Sequence, residues 1–262
     1  MKNLIGIYTI WYRDILRFWR DRMRMIGSIL FPLLFLFVFG SGLSSRMGSF
    51  GQDIDFSQFM FPGIIGMTVL MTSFMGGVSL VWDREFGFLK EVLVAPISRA
   101  SVALGKMFGS ATIALLQGMI IMLLSPLIGI SLSVGTVLVL IPLMFLLACA
   151  MGSFGILLAT RIRSMQAFQA IMQMLMFPMM FLSGVFFPVQ GLPAWMNVLV
   201  KINPATYGVA PIRQIMLGSS PDSPFAISIL GHNMSILDNV IVMIIFAAVM
   251  ILLAMWSFST QD

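Results

Sequence analysis

WDREFGFLKEVLVAPISR, residues 82–99, is a charged interruption between two long apolar runs. The runs beside it, residues 59–81 and 102–124, each hold the roughly 20 apolar residues that a helix needs to cross about 30 Å of hydrocarbon. The interruption therefore reads as a loop at a membrane surface, and the rest of the chain repeats the pattern. Further apolar stretches lie at 25–43, 136–160, 167–187 and 237–258, which makes six candidate spans. A helix satisfies its own backbone polar groups in lipid, and none of the six alternates as a barrel strand would. The fold expected is an all-α integral membrane protein, with one transmembrane domain over residues 1–262.

Composition agrees. Hydrophobic residues make up 59% of the chain and charged residues 10%, with 23 Phe and 25 Met. A globular domain carries about 25% charge, so a soluble exterior of ordinary kind cannot be built from this sequence. The basic residues are dealt to one side. Lys2, Arg13, Arg17, Arg20, Arg22, Arg24, Arg84, Lys90, Arg99, Lys106, Arg161 and Arg163 fall on alternate connections, against Arg46, Lys201 and Arg213 on the others. The positive-inside rule then places both termini in the cytoplasm of a multi-pass cell-membrane protein. Net charge +5 is an orientation signal, and no nucleic acid is expected as a partner. The first span, preceded by some two dozen residues rich in arginine, reads as an uncleaved anchor.

Several chemistries are excluded. A single cysteine, Cys149, makes no intrachain disulfide, and a single histidine, His232, builds no metal site alone. The only Gly-Lys pair, Gly105 and Lys106, has Ala100 where a phosphate-binding loop needs its first glycine. No metal and no nucleotide is expected on this chain, and no catalytic residue is assigned.

Residues 1–24 read as an amphipathic helix lying in the interface. Leu4, Ile7, Tyr8, Trp11, Ile15 and Phe18 recur at helical spacing on one face, with Arg13, Arg17, Arg20 and Arg24 opposite them. The arginines would face anionic lipid or an acidic partner. Within residues 82–99, a helix from Trp82 to Val94 would put Trp82, Phe86, Leu89 and Leu93 on one stripe. Asp83, Arg84, Gly87, Lys90 and Glu91 would lie on the other, with Glu85 at the flank, and Pro96 would end the helix. Such a helix suits a groove on a soluble partner; a plainly solvated loop is the simpler alternative.

Arg84, Glu85, Gly87, Leu89, Glu91, Leu93, Pro96, Ser98, Arg99, Gly105 and Lys106 resemble the loop after the second span in permease subunits of type-two ABC transporters. Lys90 stands where that family often has a glutamate, and the acid follows at Glu91. A second segment, Pro188, Gly191, Leu192, Pro193, Trp195, Asn203, Pro204, Thr206, Tyr207 and Arg213, is similar to the family's stretch after the fifth span. Without the family, residues 188–236 contain two apolar pieces, 192–202 and 206–217, each too short to cross a bilayer and so interfacial or re-entrant. The resemblance implies that Asp83, Arg84, Glu85, Gly87, Lys90 and Glu91 form a coupling helix that contacts a separate P-loop ATPase. It implies that Pro188, Trp195, Asn203, Pro204 and Tyr207 belong to an outer gate. It also implies a second permease copy, identical or related, with ATP and Mg held by the ATPase subunit and no cofactor on this chain.

Charge is nearly absent from the spans, and Lys106 is close enough to the cytoplasmic end to snorkel. An ion-coupled carrier usually needs buried carboxylates, and a membrane enzyme a reactive cluster, so neither is favoured. The resemblance implies an ATP-driven exporter, and an apolar path without an aromatic and acidic track for a sugar chain points first to drugs or other amphiphiles, then to polysaccharide or glycolipid. Gln166, Gln169, Gln173, Met176 and Phe177 are candidates for a substrate path, with packing against neighbouring helices as the alternative. Gly76, Gly77, Gly105, Gly109 and Gly152 read as points of close helix packing.

Overall fold

The computed structural model describes residues 2–47, 55–87, 97–162, 164–189, 191–218, 227–229 and 232–260. Helices α1 (Lys2–Arg20), α2 (Arg22–Met47) and α3 (Phe56–Glu85) come first, then α4 (Arg99–Met122) and a 3-10 turn, Ser125–Ile128. Helices α5 (Val134–Arg161), α6 (Met165–Phe181), α7 (Ala194–Ile202), α8 (Pro204–Leu217) and α9 (Ile236–Ser259) follow. A two-residue antiparallel ladder, β1 (Ser228–Ile229) with β2 (His232–Asn233), precedes α9 and is the one element outside the all-α expectation among the described residues.

Four helices, α3, α4, α5 and α9, are long and apolar enough to cross a membrane, and they coincide with four of the six expected spans. The expected span 25–43 falls on α2, whose apolar part is the shorter stretch Met25–Val38. The expected span 167–187 falls on α6, whose 17 residues reach about 25 Å at 1.5 Å per residue before the chain turns through residues 182–189. Helix starts come earlier than hydropathy suggests because polar caps lie outside the apolar windows. Ser98, Ser133 and Ser164 each accept a backbone N–H of the first turn, and Ser235 forms a capping box with Asp238.

Helix α3 is the axis of the bundle, buried without a break from Phe59 to Leu70 and packed by α2, α4, α5, α6 and α8. Glycines permit the approach, as expected. A Cβ at Gly77 would meet the Gly155 carbonyl oxygen, one at Gly76 would lie 2.6 Å from Ser110 Oγ, and one at Gly152 3.0 Å from the same atom. By contrast α2 and α6 expose much of their length: Phe31, Leu34, Phe37 and Val38 on α2, and Met174, Phe177 and Phe181 on α6. The two short pieces expected on the outer side separate too. Helix α7 is amphipathic and largely exposed, whereas Ala205–Gln214 of α8 is continuously buried among α3, α5 and α9.

Candidate functional site

The last turn of α3 is where the expected coupling residues and the interface helix meet, and α1 is brought there by spacing. Gly6, Ile10, Asp14 and Phe18, four residues apart, form its buried stripe. The stripe lies on Gly105 and Gly109 of α4, where an added Cβ would come within 2.9 Å of Ile10 Cβ and 3.1 Å of Asp14 Cβ. The helix rests on protein through the Gly6–Phe18 stripe, while Leu4 and Tyr8 of the expected apolar face are exposed on its outside. Helix α1 ends at Arg20, so Arg24 belongs to α2, and its side chain lies outside the described residues.

Between α1, α3 and α4 stands a buried charge network. Lys106, 1% exposed, donates from Nζ to Asp83 Oδ2 (2.5 Å), Ser79 Oγ (2.6 Å) and Asp14 Oδ2 (3.2 Å). Its three N–H donors thus face three acceptors. Arg13 bridges the same carboxylates, at 2.7 Å from Asp83 Oδ2 and 3.0 Å from Asp14 Oδ1, and Arg17 reaches Asp83 Oδ1 at 3.4 Å. Arg17 also sits 5.2 Å from the centre of the Trp82 ring. Burial lowers the Arg13 guanidinium, but the two carboxylates outweigh it and hold Arg13 above its ordinary value. Three cations meet two anions, a net formal charge of +1. Lys106, Asp83 and Asp14 are buried, and ions so placed are tolerated only with such close partners, while Arg13 and Arg17 remain partly exposed at the rim.

Two expectations are corrected here. Lys106 does not snorkel, because its acceptors lie within the bundle. Asp83 is not on a face open to a partner, because it is the anion that Lys106, Arg13 and Arg17 share. Arg84 is likewise turned inward, donating to the carbonyls of Ala159 (3.1 Å) and Ile162 (3.1 Å) at the end of α5. Those carbonyls lack helical partners, and a guanidinium suits them. The separate helix expected from Trp82 to Val94 is not seen as one piece: α3 runs on through Glu85 and stops at Gly87, whose φ of +80° ends it. Glu85 and Phe86, just before Gly87, are exposed. Lys90 and Glu91 lie outside the described residues. Arg20 is exposed at the end of α1.

The opposite end of the bundle holds a second buried cation. Arg213 of α8, 2% exposed, donates to the carbonyls of Gly184 (2.5 Å) and Val185 (3.4 Å) and lies 4.2 Å from the centre of the Phe59 ring. Its Nε has no partner among the described residues, and no described carboxylate lies within ion-pair distance. Gly63 makes this possible, since a Cβ there would stand 2.6 Å from the Val185 oxygen. The expected outer-gate residues divide. Asn203 caps α8 and donates to the Met179 carbonyl (2.7 Å), and Tyr207 donates to the Lys201 carbonyl (2.5 Å). Pro204 opens α8, Pro188 is half-buried in the turn after α6, and Trp195 is exposed on α7.

The expected path residues lie on α6. Gln166, Gln169, Gln173 and Phe177 are exposed along one side, and Met176 is buried against the bundle. Gln117 is not with them: it is buried between Thr72 and Ser28, bonded to both. Asp14 and Ser79 were missed by the sequence reading. A lone acid among arginines, in step with Ile10 and Phe18, was the available signal for Asp14; Ser79 offered none.

The ABC-2 type transporter family profile matches residues 6–217, which takes in both the charged end of α3 and the Asn203–Arg213 segment. The chain belongs to this family. It is 32% identical over 240 residues to a putative transport permease, ycf38, of Cyanophora paradoxa, covering 89% of this chain and 82% of that protein. It is 24% identical to the inner membrane transport permease YadH of Escherichia coli K12, over 82% of this chain and 84% of the relative. Nodulation protein J of Rhizobium meliloti is 26% identical over 80% and 81%. The chain is thus a multi-pass ABC-2 transport permease.

Proposed function

We propose that this chain is the membrane-spanning subunit of an ATP-driven exporter in the cell membrane, moving drugs or other amphiphiles outward. The α1 end faces the cytoplasm, as the basic residues of α1 and the neighbouring helix ends favour. ATP and Mg belong to a separate P-loop subunit. Its contact begins at Glu85 and Gly87 and continues through Lys90 and Glu91; Asp83 and Arg84 serve it from behind, by fixing the helix end.

The observation that carries this reading is the anchored end of α3. The most buried helix of the bundle finishes in a turn tied to α1 and α4 through Asp83 and to α5 through Arg84, and then exposes Glu85 and Phe86. A push on the exposed turn would reach several helices together, which is what switching between two discrete arrangements needs. The exposed sides of α2 and α6, with Gln166, Gln169, Gln173 and Phe177, are left for a second permease copy to face, and the path runs between the two. Apolar side chains on both helices, Phe31, Leu34 and Phe37 of α2 and Met174 and Phe177 of α6, beside the amides of α6 favour an amphiphilic cargo.

The test is co-purification from native membranes in mild detergent. A stoichiometric P-loop ATPase is expected with the wild-type chain, and it should be lost with Glu85→Arg and Glu91→Arg while insertion stays normal. Retention of the ATPase and of export in both variants would overturn the coupling assignment.

A further inference from the structure

We propose that the crevice beneath α1 holds one anionic phospholipid, its phosphate on Arg17 and Arg20 and one acyl chain between α2 and α3. The inference rests on the chain lying in a bilayer and is independent of any ATPase partner.

Three spaces form one file. An open groove of about 760 Å³ is lined by Arg13, Arg17, Arg20, Trp82 and Phe86, with Asp21 and Asp83 at its edge. A narrow cleft of about 40 Å³ shares Arg17 with that groove and Phe18, Thr72 and Met75 with the next space. The third, about 310 Å³, is walled by Gly27, Phe31, Pro32, Met71 and Met75. That volume is at the lower end of the range for ligand pockets.

Chemistry changes along the file as it does along a lipid. Along the groove and the adjoining cleft Arg13, Arg17, Arg20 and Lys106 face Asp14, Asp21 and Asp83, so the formal charge left over is positive by one. Trp82 and Phe86 at the mouth are the aromatic side chains that rest at headgroup level. The cavity residues on α3, Thr68 to Met75, lie about 12–22 Å along the helix from Asp83. That is the depth of the middle and end of an acyl chain, given about 15 Å of hydrocarbon per leaflet beneath a headgroup layer of about 5 Å. The polar groups of the cavity wall are already engaged with one another, Thr72 with Gln117 and Gln117 with Ser28, so the wall asks for no further hydrogen bond. At Gly27 an added Cβ would meet nothing within 4 Å, which marks open space in the wall itself. A free soluble anion would use the groove and leave the cavity unfilled.

The experiment is native mass spectrometry of the detergent-purified chain, delipidated and then titrated with dioleoylphosphatidylglycerol or dioleoylphosphatidylcholine. One phosphatidylglycerol per chain is expected to be retained in preference to phosphatidylcholine. Arg20→Gln should weaken retention by about fivefold, the effect of one basic residue at the surface, and Arg20→Lys should preserve it. Gly27→Phe fills the cavity and should abolish retention with the melting temperature unchanged. Should Gly27→Phe fail to fold, the Arg20 pair decides alone. Equal retention of the two lipids, unchanged retention in a folded Gly27→Phe, or equal competition by inorganic phosphate would each overturn the proposal.

Discussion

Lys106 and Arg213 are both buried cations, one near each end of the same bundle, and they are held in opposite ways. Lys106 sits among carboxylates, with Asp83 and Asp14 in reach and two arginines sharing them. Arg213 sits among backbone carbonyls and an aromatic face, with its Nε unmatched among the described residues. An ion network joins side chains from three helices, so the loss of one member is felt by all three. Carbonyl coordination is made by the chain's own turn, Gly184 and Val185, and depends on that turn staying against Gly63. The first arrangement is suited to transmit force between helices; the second is suited to close and release one segment.

The largest effect that separates the two is expected from Asp83→Asn. The network is already one positive charge in excess, so removing an anion leaves three cations with Asp14 alone. A destabilisation of about 3–5 kcal/mol is expected, as for other buried pairs broken on one side. Adding Lys106→Met should recover most of it, and Lys106→Met alone should cost less than Asp83→Asn, because Arg13 and Arg17 still serve the carboxylates. Denaturation in mixed detergent micelles measures all three. Equal costs for the two single variants, with no recovery in the double, would mean that the residues act by packing rather than by charge.

Arg213→Met is next in size. It leaves the Gly184 and Val185 carbonyls without their donor, at about 1–3 kcal/mol, while relieving a charge with no carboxylate beside it. The net cost should therefore stay below that of Asp83→Asn in the same assay. Arg213→Lys should not restore it, because an ammonium lacks the planar fork that reaches both carbonyls while facing the Phe59 ring. If Arg213→Met were the costlier change, the outer end would be the structural anchor and the contrast would be reversed.

The difference between the ends also explains what could be read from the chain alone. Apolar length placed α3, α4, α5 and α9, and small residues marked Gly76, Gly77, Gly105 and Gly109 as contact points, because both signals are local. The Lys106–Asp14 contact joins residues 92 apart, and Arg13–Asp83 joins residues 70 apart. No window of sequence contains either pair. Asp83 therefore read as one polar residue in a charged loop, and Lys106 as the last charge before lipid. The short apolar pieces 192–202 and 206–217 fall on α7 and α8, but nothing in their composition distinguishes exposed α7 from buried α8. That depends on the Gly66 and Leu147 surfaces of α3 and α5, against which Val209 and Gly208 fit.

The smallest expected change probes the join between the network and the segment after it. Gly87 has φ +80° and no described atom within 4 Å of the position of a Cβ, so among the described residues Gly87→Ala is opposed by backbone conformation alone, at about 1 kcal/mol. The Asp83 contacts sit one turn earlier and should be untouched. If Gly87 only terminates the helix, transport should fall in proportion to that small loss of stability. If it aims the chain toward the ATPase, Ala has two ways to relieve its strain, by extending α3 or by redirecting residue 88 onward, and either one moves Glu85 relative to Glu91. Transport and ATPase retention would then drop far more than stability does. Measured together with Asp83→Asn, Gly87→Ala separates holding the end of α3 in place from pointing it.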